Sequence, residues 1–250
     1  LGAHPTEEGT NFAIWAAAAA RVELCFFDEV NGIEVETKHE LTDRNGPVFH
    51  GYFPGIRPGQ RYGYRIYGTW APEYGSRFNA AKLLIDPYAH KLDGTLTYVP
   101  EIYGHQATDG VGAGDTSIRD DRDSAPYVPL SVVTDYRSRE VHRPIYSWTQ
   151  EVIYEAHVQG LTAKNVAIPE AERGTYKALG HQSTIEHLKH LGVTALELLP
   201  IHAYATEPAI WARGRKNHWG YNAIAFSAVH GEYAATDDPV SELQWSIDRL

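Results

Sequence analysis

Two glutamates occur at matching places in two short apolar segments that we expect to form neighbouring strands. Glu155 interrupts the segment VIYEAHV, and Glu197 interrupts the segment ALELL. Hydrolysis of a glycoside with retention uses two carboxyl groups about 5–5.5 Å apart, so the pair has suitable chemistry. Both residues lie in the middle of their strands, however, whereas the catalytic groups of a β/α barrel lie beyond the C-terminal strand ends. We therefore interpret Glu155 and Glu197 as a buried polar contact.

The segment NHWGYN, Asn217–Asn222, is the most chemically interesting polar stretch. Trp219 and Tyr221 flank a glycine there, downstream of the second apolar segment. Aromatic rings can stack on the apolar face of a sugar while Asn and His side chains bind its hydroxyl groups. The same residues could instead form an aromatic plug that makes the loop rigid. The residue pattern alone leaves both interpretations open.

Metal-binding patterns are weak in this sequence. His187 and His190 have helical spacing, but they flank an apolar stripe with a lysine between them, which favours a solvated helix face. The charge run Arg119–Asp123 alternates arginine with aspartate, so its members are expected to pair with each other and with solvent. The G-x-S-x-G and Walker motifs are missing, and no G-x-G-x-x-G lies between a strand and a helix. We predict no metal site.

Composition argues against several classes of partner. The 250 residues carry a net charge of −10, which disfavours nucleic acid and anionic membrane surfaces. No apolar run approaches the ~20 residues of a membrane span, and no charged-then-apolar leader opens the sequence. The single cysteine, Cys25, fits a reducing cytosol. There is no methionine and the last residues stop inside a helical pattern, so we expect a piece of a longer protein.

Residues 1 to about 92 have the pattern of an all-β module. Apolar and polar residues alternate, and turn residues recur about every ten positions, which predicts a β-sandwich. The predicted strands are Asn11–Trp15, Val22–Phe27, Val35–Leu41, Val48–Phe53 and Tyr62–Tyr67.

Two stretches of this first part lack a strand pattern. The alanines Ala16–Ala20 are expected to form a surface connection. Residues 93–149 include a stretch rich in glycine and aspartate, and they are expected to form an irregular linker over the surface.

After residue 150 the pattern changes to alternating strands and helices. The stretch EVIYEAHVQGLT, Glu151–Thr162, begins with an apolar run that predicts a parallel strand buried on both faces. A second buried strand is predicted over Ala195–Leu199. With a helix between them, the two strands make a βαβ unit.

The helices of this part carry their own start and stop signals. Ser183 and Glu186 have the spacing of a capping box, and Gly192 supplies a left-handed helix end. Asp238 followed by Pro239 predicts the start of another helix. Residues 150–250 are therefore predicted to be the start of a β/α repeat.

Nine segments spread over nearly the whole chain resemble, in order, the glycogen debranching enzymes of the isoamylase type, within the α-amylase superfamily. They are GTNFAIW, RVELCFFDE, HGYFPGIRPGQRYGYRIYG, RFNAAKLLIDPYA, RDSAPYVPLSVV, VIYEAHVQGLT, RGTYKALG, HLGVTALELLPIHAY and NHWGYNAIAFSA. The pattern VIYEAHV-x-GLT followed by WGYN separates debranching enzymes from branching enzymes, which are similar only more loosely. The segment 135–148 is shorter than is usual for this family.

The resemblance implies a multidomain protein. Residues 1–92 would be an N-terminal all-β sandwich of the starch-binding type, residues 93–149 a linker, and residues 150–250 the first β/α units of an incomplete (β/α)8 TIM barrel. The implied activity is hydrolysis of α-1,6-glucosidic branch linkages in glycogen or a limit dextrin with retention, in the cytoplasm and without a cofactor. The implied partner is branched α-glucan, with no nucleic acid and no membrane.

The resemblance also assigns site residues. In the family the nucleophile and the acid/base lie on later barrel strands, which would follow Leu250, so we expect no catalytic residue in this chain and no hydrolysis by the 250 residues alone. Tyr221 is similar to the family's aromatic residue that stacks beneath the sugar at the cleavage point. Trp219, Asn217 and His202 are expected substrate-binding neighbours. Isoamylase carries an acidic calcium loop where this chain has PIHAYATEPA with one glutamate, which predicts no calcium.

Two other functions share much of this layout. A non-catalytic glucan-binding or scaffold protein would keep the sandwich and lose the hydrolytic groups. A glycogen branching enzyme would have the same order of domains and would make α-1,6 linkages instead of cleaving them.

Overall fold

A computed structural model describes residues 1–135 and 143–250. The predicted linker and the shortened segment 135–148 therefore lie partly outside the described residues. The chain forms two compact units. The first comprises the described residues among 1–136, with 205–217 and 224–228. The second comprises the described residues among 137–204, with 218–223 and 229–250.

Short strands dominate the secondary structure. The strands are β1 (Gly2–Pro5), β2 (Gly9–Trp15), β3 (Arg21–Val30), β4 (Ile33–Glu40), β5 (Asp43–Asn45), β6 (Val48–Pro54), β7 (Arg61–Tyr67), β8 (Trp70–Ala71), β9 (Ser76–Arg77), β10 (Lys91–Asp93), β11 (His105–Ala107), β12 (Gly114–Arg119), β13 (Leu130–Val132), β14 (Ile153–Ala156), β15 (Ala195–Leu198), β16 (His202–Tyr204) and β17 (Ala223–Val229). The α-helices are α1 (Val158–Thr162), α2 (Tyr176–Leu179), α3 (Gln182–His190), α4 (Pro208–Trp211) and α5 (Pro239–Arg249). Short 3-10 helices cover Pro72–Tyr74, Pro100–Ile102, Ala125–Tyr127, Glu170–Glu172 and Gly231–Tyr233.

The first unit contains the predicted β-sandwich. One sheet has the strand order β1-β2-β6-β5, and the other has the order β10-β13-β7-β3-β4, with antiparallel neighbours in both. The five strands predicted from alternation correspond to β2, β3, β4, β6 and β7. The all-β character of this part of the chain is thereby confirmed.

Aromatic side chains from the two sheets form the sandwich core. Phe12 of β2 meets Phe26 of β3 and Tyr62 of β7 at ring-centroid distances of 5.5 and 5.0 Å, in edge-to-face contacts. The five-stranded sheet is buried on its other face too, where Cys25 and Leu130 belong to a second apolar cluster. This double burial explains why β3 is apolar on both faces.

Two expectations for the first part of the chain need correction. Ala16 and Ala19 are buried members of the sandwich core, because small side chains fit where the turn before β3 packs against it. The stretch predicted to be irregular supplies β13, which pairs with β7 inside the sandwich. It also supplies the hairpin of β11 and β12. These strands escaped the period-two search because they are short or fully exposed.

The charge run Arg119–Asp123 pairs internally, as predicted. Arg119 binds Asp121 at 2.7 Å, and Arg122 forms an ion pair with the buried Asp120. The hydrogen bonds from the Arg122 side chain hold the pKa of Asp120 at about 2, so this carboxylate stays charged at neutral pH.

The second unit contains the predicted parallel strand pair. In β14 and β15, Ile153 lies opposite Ala195 and Glu155 lies opposite Glu197. The core of this unit gathers residues of α1, α2, α5 and the turn before α5, namely Val158, Tyr176, Leu179, Tyr233 and Leu243. One parallel pair is common to many α/β folds, so the barrel remains a prediction.

The predicted burial of these strands is wrong for several residues. Ile153 is 57% exposed, and Glu155 and Glu197 are exposed as well. A sheet of two strands can be covered by its helices on one face and still leave polar and apolar side chains open on the other. Glu155 and Glu197 are therefore not the buried polar contact that their strands suggested.

Two predicted features of the helices are confirmed and one is wrong. Asp238 caps α5 by accepting a hydrogen bond from the Ser241 backbone N–H at 3.2 Å, and Gly192 has φ of 75° after α3. The predicted cap of α3 by Ser183 is wrong, because His181 caps this helix with its ring nitrogen.

Candidate functional site

Trp219 and Tyr221 lie exposed on either side of Gly220. Their side chains are 57% and 70% exposed, which is unusual for two large aromatic residues so close together. They belong to the second unit, on the loop that follows α4. This exposure favours a stacking surface over an aromatic plug, because a plug would be buried.

Gly220 gives this loop its shape. Its φ is +79°, a conformation that favours glycine. A Cβ atom at this position would lie 3.1 Å from the Pro200 carbonyl oxygen and 3.2 Å from Cδ1 of Tyr204. The loop backbone therefore approaches the chain just after β15 so closely that a Cβ atom would force its neighbours to shift by a few tenths of an ångström. In parallel β/α folds, binding residues collect beyond the C-terminal ends of strands, and this loop lies at such an end.

His157, the first residue after β14, is the buried neighbour of this loop. It is 9% exposed and caps α1, where its Nδ1 accepts hydrogen bonds from the backbone N–H groups of Gln159 and Gly160 at 3.1 and 3.2 Å. Backbone N–H groups can only donate, so Nδ1 carries no hydrogen. The neutral ring must then carry its hydrogen on Nε2.

The other side of the His157 ring holds the loop directly. Its Nε2 donates to the His218 carbonyl oxygen at 2.8 Å. The two imidazole rings stack with centroids 4.5 Å apart and an interplanar angle of 6°. The His218 ring then meets the Trp219 indole edge-to-face at 5.0 Å. A continuous set of ring contacts thus runs from the buried histidine to the exposed tryptophan.

A layer of tyrosines surrounds the same histidine. The Tyr233 hydroxyl lies 3.0 Å from Nε2 of His157 and 3.2 Å from the Tyr204 hydroxyl. Tyr204 stacks on the His230 ring at 3.7 Å, and Tyr176 donates to the His230 carbonyl oxygen at 3.0 Å. Burial raises the pKa of Tyr204 and of Tyr233, so both hydroxyls stay protonated at neutral pH.

The four predicted substrate-binding residues are divided between the two units. Trp219, Tyr221 and the exposed His202 belong to the second unit, and His202 begins β16. Asn217 belongs to the first unit and is buried, where its backbone N–H donates to Thr206 and its side-chain amide donates to Glu207 at 3.2 Å. Asn217 is therefore already engaged within the protein, in contrast to the exposed aromatic pair.

The expected position of the hydrolytic carboxylates, beyond Leu250, stays a prediction. Leu250 directly follows α5, and its backbone N–H donates to the Ser246 carbonyl oxygen at 3.1 Å. Its side chain is 48% exposed. The hydrogen bond of Leu250 holds the last turn of α5. The placement of the nucleophile and the acid/base rests on the family resemblance alone.

Residues 205–217 are anchored within the first unit. The Tyr98 hydroxyl donates to the Thr206 carbonyl oxygen, and the Tyr98 ring packs on Trp211 at 5.0 Å. This anchoring fixes Asn217 in the first unit, at the end of the segment that contains α4.

Sequence reasoning missed His157 and Tyr233. His157 is separated from His218 by 61 positions and from Tyr233 by 76, so no local spacing could relate them. One sequence signal could have found His157, because it is a polar residue that interrupts the apolar run of β14 immediately before α1.

The first unit contains a second candidate site, a cavity of about 690 Å³. Its lining combines the aromatic residues Trp70 and Phe78 with the polar residues Arg77, Asn79, His105 and Thr116. Trp70 is oriented by a hydrogen bond from its indole N–H to the Ser117 carbonyl oxygen at 2.9 Å. Tyr74, close by in the sequence, is one of the most exposed aromatic side chains of the chain's described part.

Neither a metal cluster nor a membrane helix is found in the described ranges 1–135 and 143–250. No three or more His, Cys, Asp or Glu side chains of these ranges are arranged to hold a metal ion. Each helix there is too short or too polar to cross a bilayer.

Comparison with known proteins relates the whole chain to one group of enzymes. Residues 1–89 match the family model for carbohydrate-binding module 48, the isoamylase N-terminal domain. The chain is 43% identical over 254 aligned residues to a glycogen debranching enzyme of Dickeya chrysanthemi, covering 100% of this chain and 36% of that protein. It is 46% identical over 240 residues to a glycogen debranching enzyme of Klebsiella pneumoniae, covering 95% of this chain and 34% of the relative.

Pullulanases are among the solved structures that share this fold. The Anoxybacillus pullulanase complexed with maltotetraose has a TM-score of 0.68 at 21% identity, covering 100% of this chain and 32% of its own. The Paenibacillus barengoltzii pullulanase complexed with maltohexaose and α-cyclodextrin has a TM-score of 0.68 at 24% identity, covering 100% and 35%. The chain spans about a third of the length of the curated relatives it matches. Over 95–100% of its length the chain is similar to about a third of each glycogen debranching enzyme, and its residues 1–89 resemble carbohydrate-binding module 48.

Proposed function

We propose that the protein containing this chain hydrolyses α-1,6-glucosidic branch linkages in glycogen or a limit dextrin, with retention of configuration. The observation that carries the proposal is the similarity of the chain, at 43–46% identity over 95–100% of its length, to glycogen debranching enzymes. The carboxylates that perform the chemistry belong to later strands, beyond Leu250, and the residues of this chain contribute binding. No cofactor takes part.

Within this proposal, residues 150–250 are the first β/α units of a (β/α)8 barrel. The parallel register of β14 and β15 supports this, as does the position of the aromatic loop beyond a strand end. Tyr221 stacks beneath the sugar at the cleavage point, and Trp219 extends the aromatic surface. His202 is a further contact on the same unit. The substrate-binding role expected of Asn217 stays a prediction, because its side chain is buried in the first unit and bonded to Glu207.

The β-sandwich supplies a second glucan contact in this proposal. The cavity beside Trp70 combines an aromatic wall with polar groups, which is the combination that sugar recognition uses. A Trp70→Ala variant should bind maltohexaose more weakly, while Trp15→Ala, at an exposed tryptophan outside the cavity, should bind as the wild type does. Equal affinities for the two variants would contradict a glucan site in the cavity.

We also propose that the protein works in the cytoplasm, where glycogen is stored. The one cysteine of this chain, Cys25, is buried and unpaired, as suits a reducing compartment. The net charge of −10 makes nucleic acid and anionic membranes poor partners. Fractionation of cells and detection with an antibody would test the location, and recovery in a secreted fraction would contradict it.

The activity is tested with the protein produced from its natural gene. Treated amylopectin should give a deeper iodine colour, because released linear chains bind more iodine, and proton spectra should show α-configured reducing ends first. A weaker colour would indicate a branching enzyme, and an unchanged colour with glucan binding intact would indicate a scaffold.

The aromatic loop is tested in the same assay with Tyr221→Ala. Loss of one stacking contact worth about 1.4 kcal/mol predicts roughly a tenfold fall in kcat/KM. Tyr88→Ala, at an exposed tyrosine of the first unit outside the cavity beside Trp70, is the matched control and should leave kcat/KM unchanged. Full activity of Tyr221→Ala would remove this residue from the substrate site.

A further inference from the structure

We propose that His157, as the neutral Nε2–H tautomer, is a positioning residue that sets the pose of the glucan-stacking pair Trp219 and Tyr221. The proposal rests on the function proposed above for this pair. Its structural basis is the juxtaposition of one buried imidazole with a helix start on one side and the aromatic loop on the other.

The helix start selects the tautomer. Two backbone N–H groups, those of Gln159 and Gly160, converge on Nδ1 at 3.1 and 3.2 Å. A hydrogen on Nδ1 would face both donors, so the ring is held with its hydrogen on Nε2. The His218 carbonyl oxygen, 2.8 Å from Nε2, can only accept and therefore requires that same hydrogen. The partners of both ring nitrogens thus require the same tautomer, with hydrogen on Nε2. All three of these partners are backbone groups, and none is a carboxylate.

The ring holds residue 218 at two points. The carbonyl is fixed by the hydrogen bond, and the side chain is fixed by parallel stacking at 4.5 Å. Because the next residue is Trp219, and its indole meets the His218 ring at 5.0 Å, the hold extends to the exposed platform. Gly220 then packs its backbone against Pro200. Tyr221 therefore leaves a backbone that is held at His218 by His157 and at Gly220 by Pro200.

A fixed platform matters for sugar binding because stacking requires the aromatic plane to be ready before the ligand arrives. A loop that must be ordered on binding spends part of the interaction energy on its own immobilisation. Release of the His157 hold is therefore expected to lower kcat/KM by about tenfold, comparable to loss of one ring, even though His157 is buried beneath the loop.

The key variant is His157→Asn in the protein produced from its natural gene. Asparagine is a favoured N-cap residue, so α1 keeps an acceptor for its N–H groups. Its shorter side chain has no second nitrogen that reaches His218. The matched control is His181→Asn, which makes the same substitution at the cap of α3, where the ring contacts are local.

Three readouts support the proposal together. The wild-type protein, labelled with ¹⁵N-histidine, should show His157 with hydrogen on Nε2 and none on Nδ1. His157→Asn should shift the Trp219 indole N–H resonance, identified by its loss in Trp219→Phe, and should lower kcat/KM on amylopectin limit dextrin by about tenfold at a similar melting temperature. His181→Asn should change neither the indole resonance nor kcat/KM by more than about twofold.

The outcomes separate this proposal from the function on which it rests. A hydrogen on Nδ1 of His157 in the wild type overturns the proposal without any variant having to fold. An unmoved Trp219 resonance in His157→Asn overturns it as well. If Tyr221→Ala keeps full kcat/KM, the substrate role of the loop fails. If Tyr221→Ala is impaired and His157→Asn retains full kcat/KM, the loop keeps its role and only the positioning by His157 is overturned.

Discussion

Two histidines of the second unit cap helices through the same ring nitrogen, Nδ1, but differ in the other contacts that their rings make. His157 precedes α1 and His181 precedes α3, and in each case the ring Nδ1 accepts a hydrogen bond from the backbone N–H two positions later, at 3.1 and 3.2 Å. His157 accepts a second backbone N–H, from Gly160, whereas His181 meets the Ser183 hydroxyl at 2.9 Å.

The difference lies in how far each ring reaches. His157 is buried, and its Nε2 bonds to the carbonyl of a residue 61 positions away. In the described part of the chain, the ring contacts of His181 stay within two positions of it. The same capping chemistry therefore serves a local purpose in one place and fixes a distant loop in the other. Burial and the second ring nitrogen make that difference.

The largest expected contrast is in stability. His157→Ala removes a cap worth about 1 kcal/mol. It also leaves the part-buried His218 carbonyl and the buried Tyr233 hydroxyl without their hydrogen bond to the ring, which costs about 1–3 kcal/mol more. His181→Ala removes the cap alone, so we expect a loss of about 1 kcal/mol. Denaturant unfolding of both variants, with unchanged slopes, would measure these losses as shifts in midpoint. Equal losses would show that the distant bond of His157 adds nothing to stability.

Sequence patterns predicted the parts of the fold whose signals are local. Alternation in β2, β3, β4, β6 and β7 revealed the sandwich, and the Asp238 cap of α5 followed from a residue type that favours this role. The histidine caps were not predicted, because histidine is not among the usual cap residues. The Ser183 pattern was the stronger local signal for α3, and it was misleading.

The candidate site was predicted in its exposed part and missed in its buried part. Trp219 and Tyr221 stood out because two aromatic residues flank a glycine. His157 lies 61 positions before His218 of that loop and 76 positions before Tyr233, so only the folded chain brings these residues together. Glu155 and Glu197 show the converse error, since an apolar strand pattern predicted burial for side chains that are exposed.

Two glycines, one near each histidine cap, extend the comparison, and their substitution is expected to have an intermediate effect on stability. Gly220, in the loop that His157 holds, has φ of +79° and an added Cβ atom would meet the Pro200 carbonyl oxygen at 3.1 Å. Gly192, which ends the helix that His181 caps, has φ of +75° but no atom within 4 Å of such a Cβ.

Gly192→Ala should therefore cost about 1 kcal/mol, from backbone strain alone. Gly220→Ala should cost about 2 kcal/mol, because overpacking adds to the strain, and it should also lower kcat/KM. Thermal unfolding and limit-dextrin kinetics of both variants provide the measurement. Equal melting temperatures with equal kcat/KM would contradict the close approach of the loop to the chain after β15.

Substitution of Tyr233 tests the Nε2 side of the His157 ring. We expect a smaller loss of stability than for Gly220→Ala. Tyr233→Phe removes the hydroxyl 3.0 Å from Nε2 and should cost about 1 kcal/mol at neutral pH, since the His218 carbonyl remains as a partner. Burial raises the pKa of Tyr233 in the folded protein. Its protonated form is thus favoured by folding, so this stability is fully present below pH of about 10, where the unfolded chain begins to ionise, and is lost above it.

The variant should accordingly be less sensitive to alkali than the wild type. Unfolding midpoints measured from pH of about 8 to about 11, a range chosen around the ordinary tyrosine pKa of about 10, would show the two curves converging as pH rises. Curves that stay parallel over this range would show that Tyr233 does not ionise on unfolding in the way its burial requires.

The smallest expected effect belongs to Ser183, the only side-chain donor at either histidine cap in the described residues. The Ser183 backbone N–H donates to Nδ1 of His181, so this nitrogen carries no hydrogen. The Ser183 hydroxyl, 2.9 Å from the same nitrogen, must therefore donate to it as well. Ser183→Ala leaves the backbone donor in place at a partly exposed position, so the loss should be about 0.5 kcal/mol or less. His157 offers no such test, because both of its donors are backbone groups. A loss above about 1.5 kcal/mol, measured by denaturant unfolding, would mean that the His181 cap is as dependent on its full set of contacts as the His157 cap.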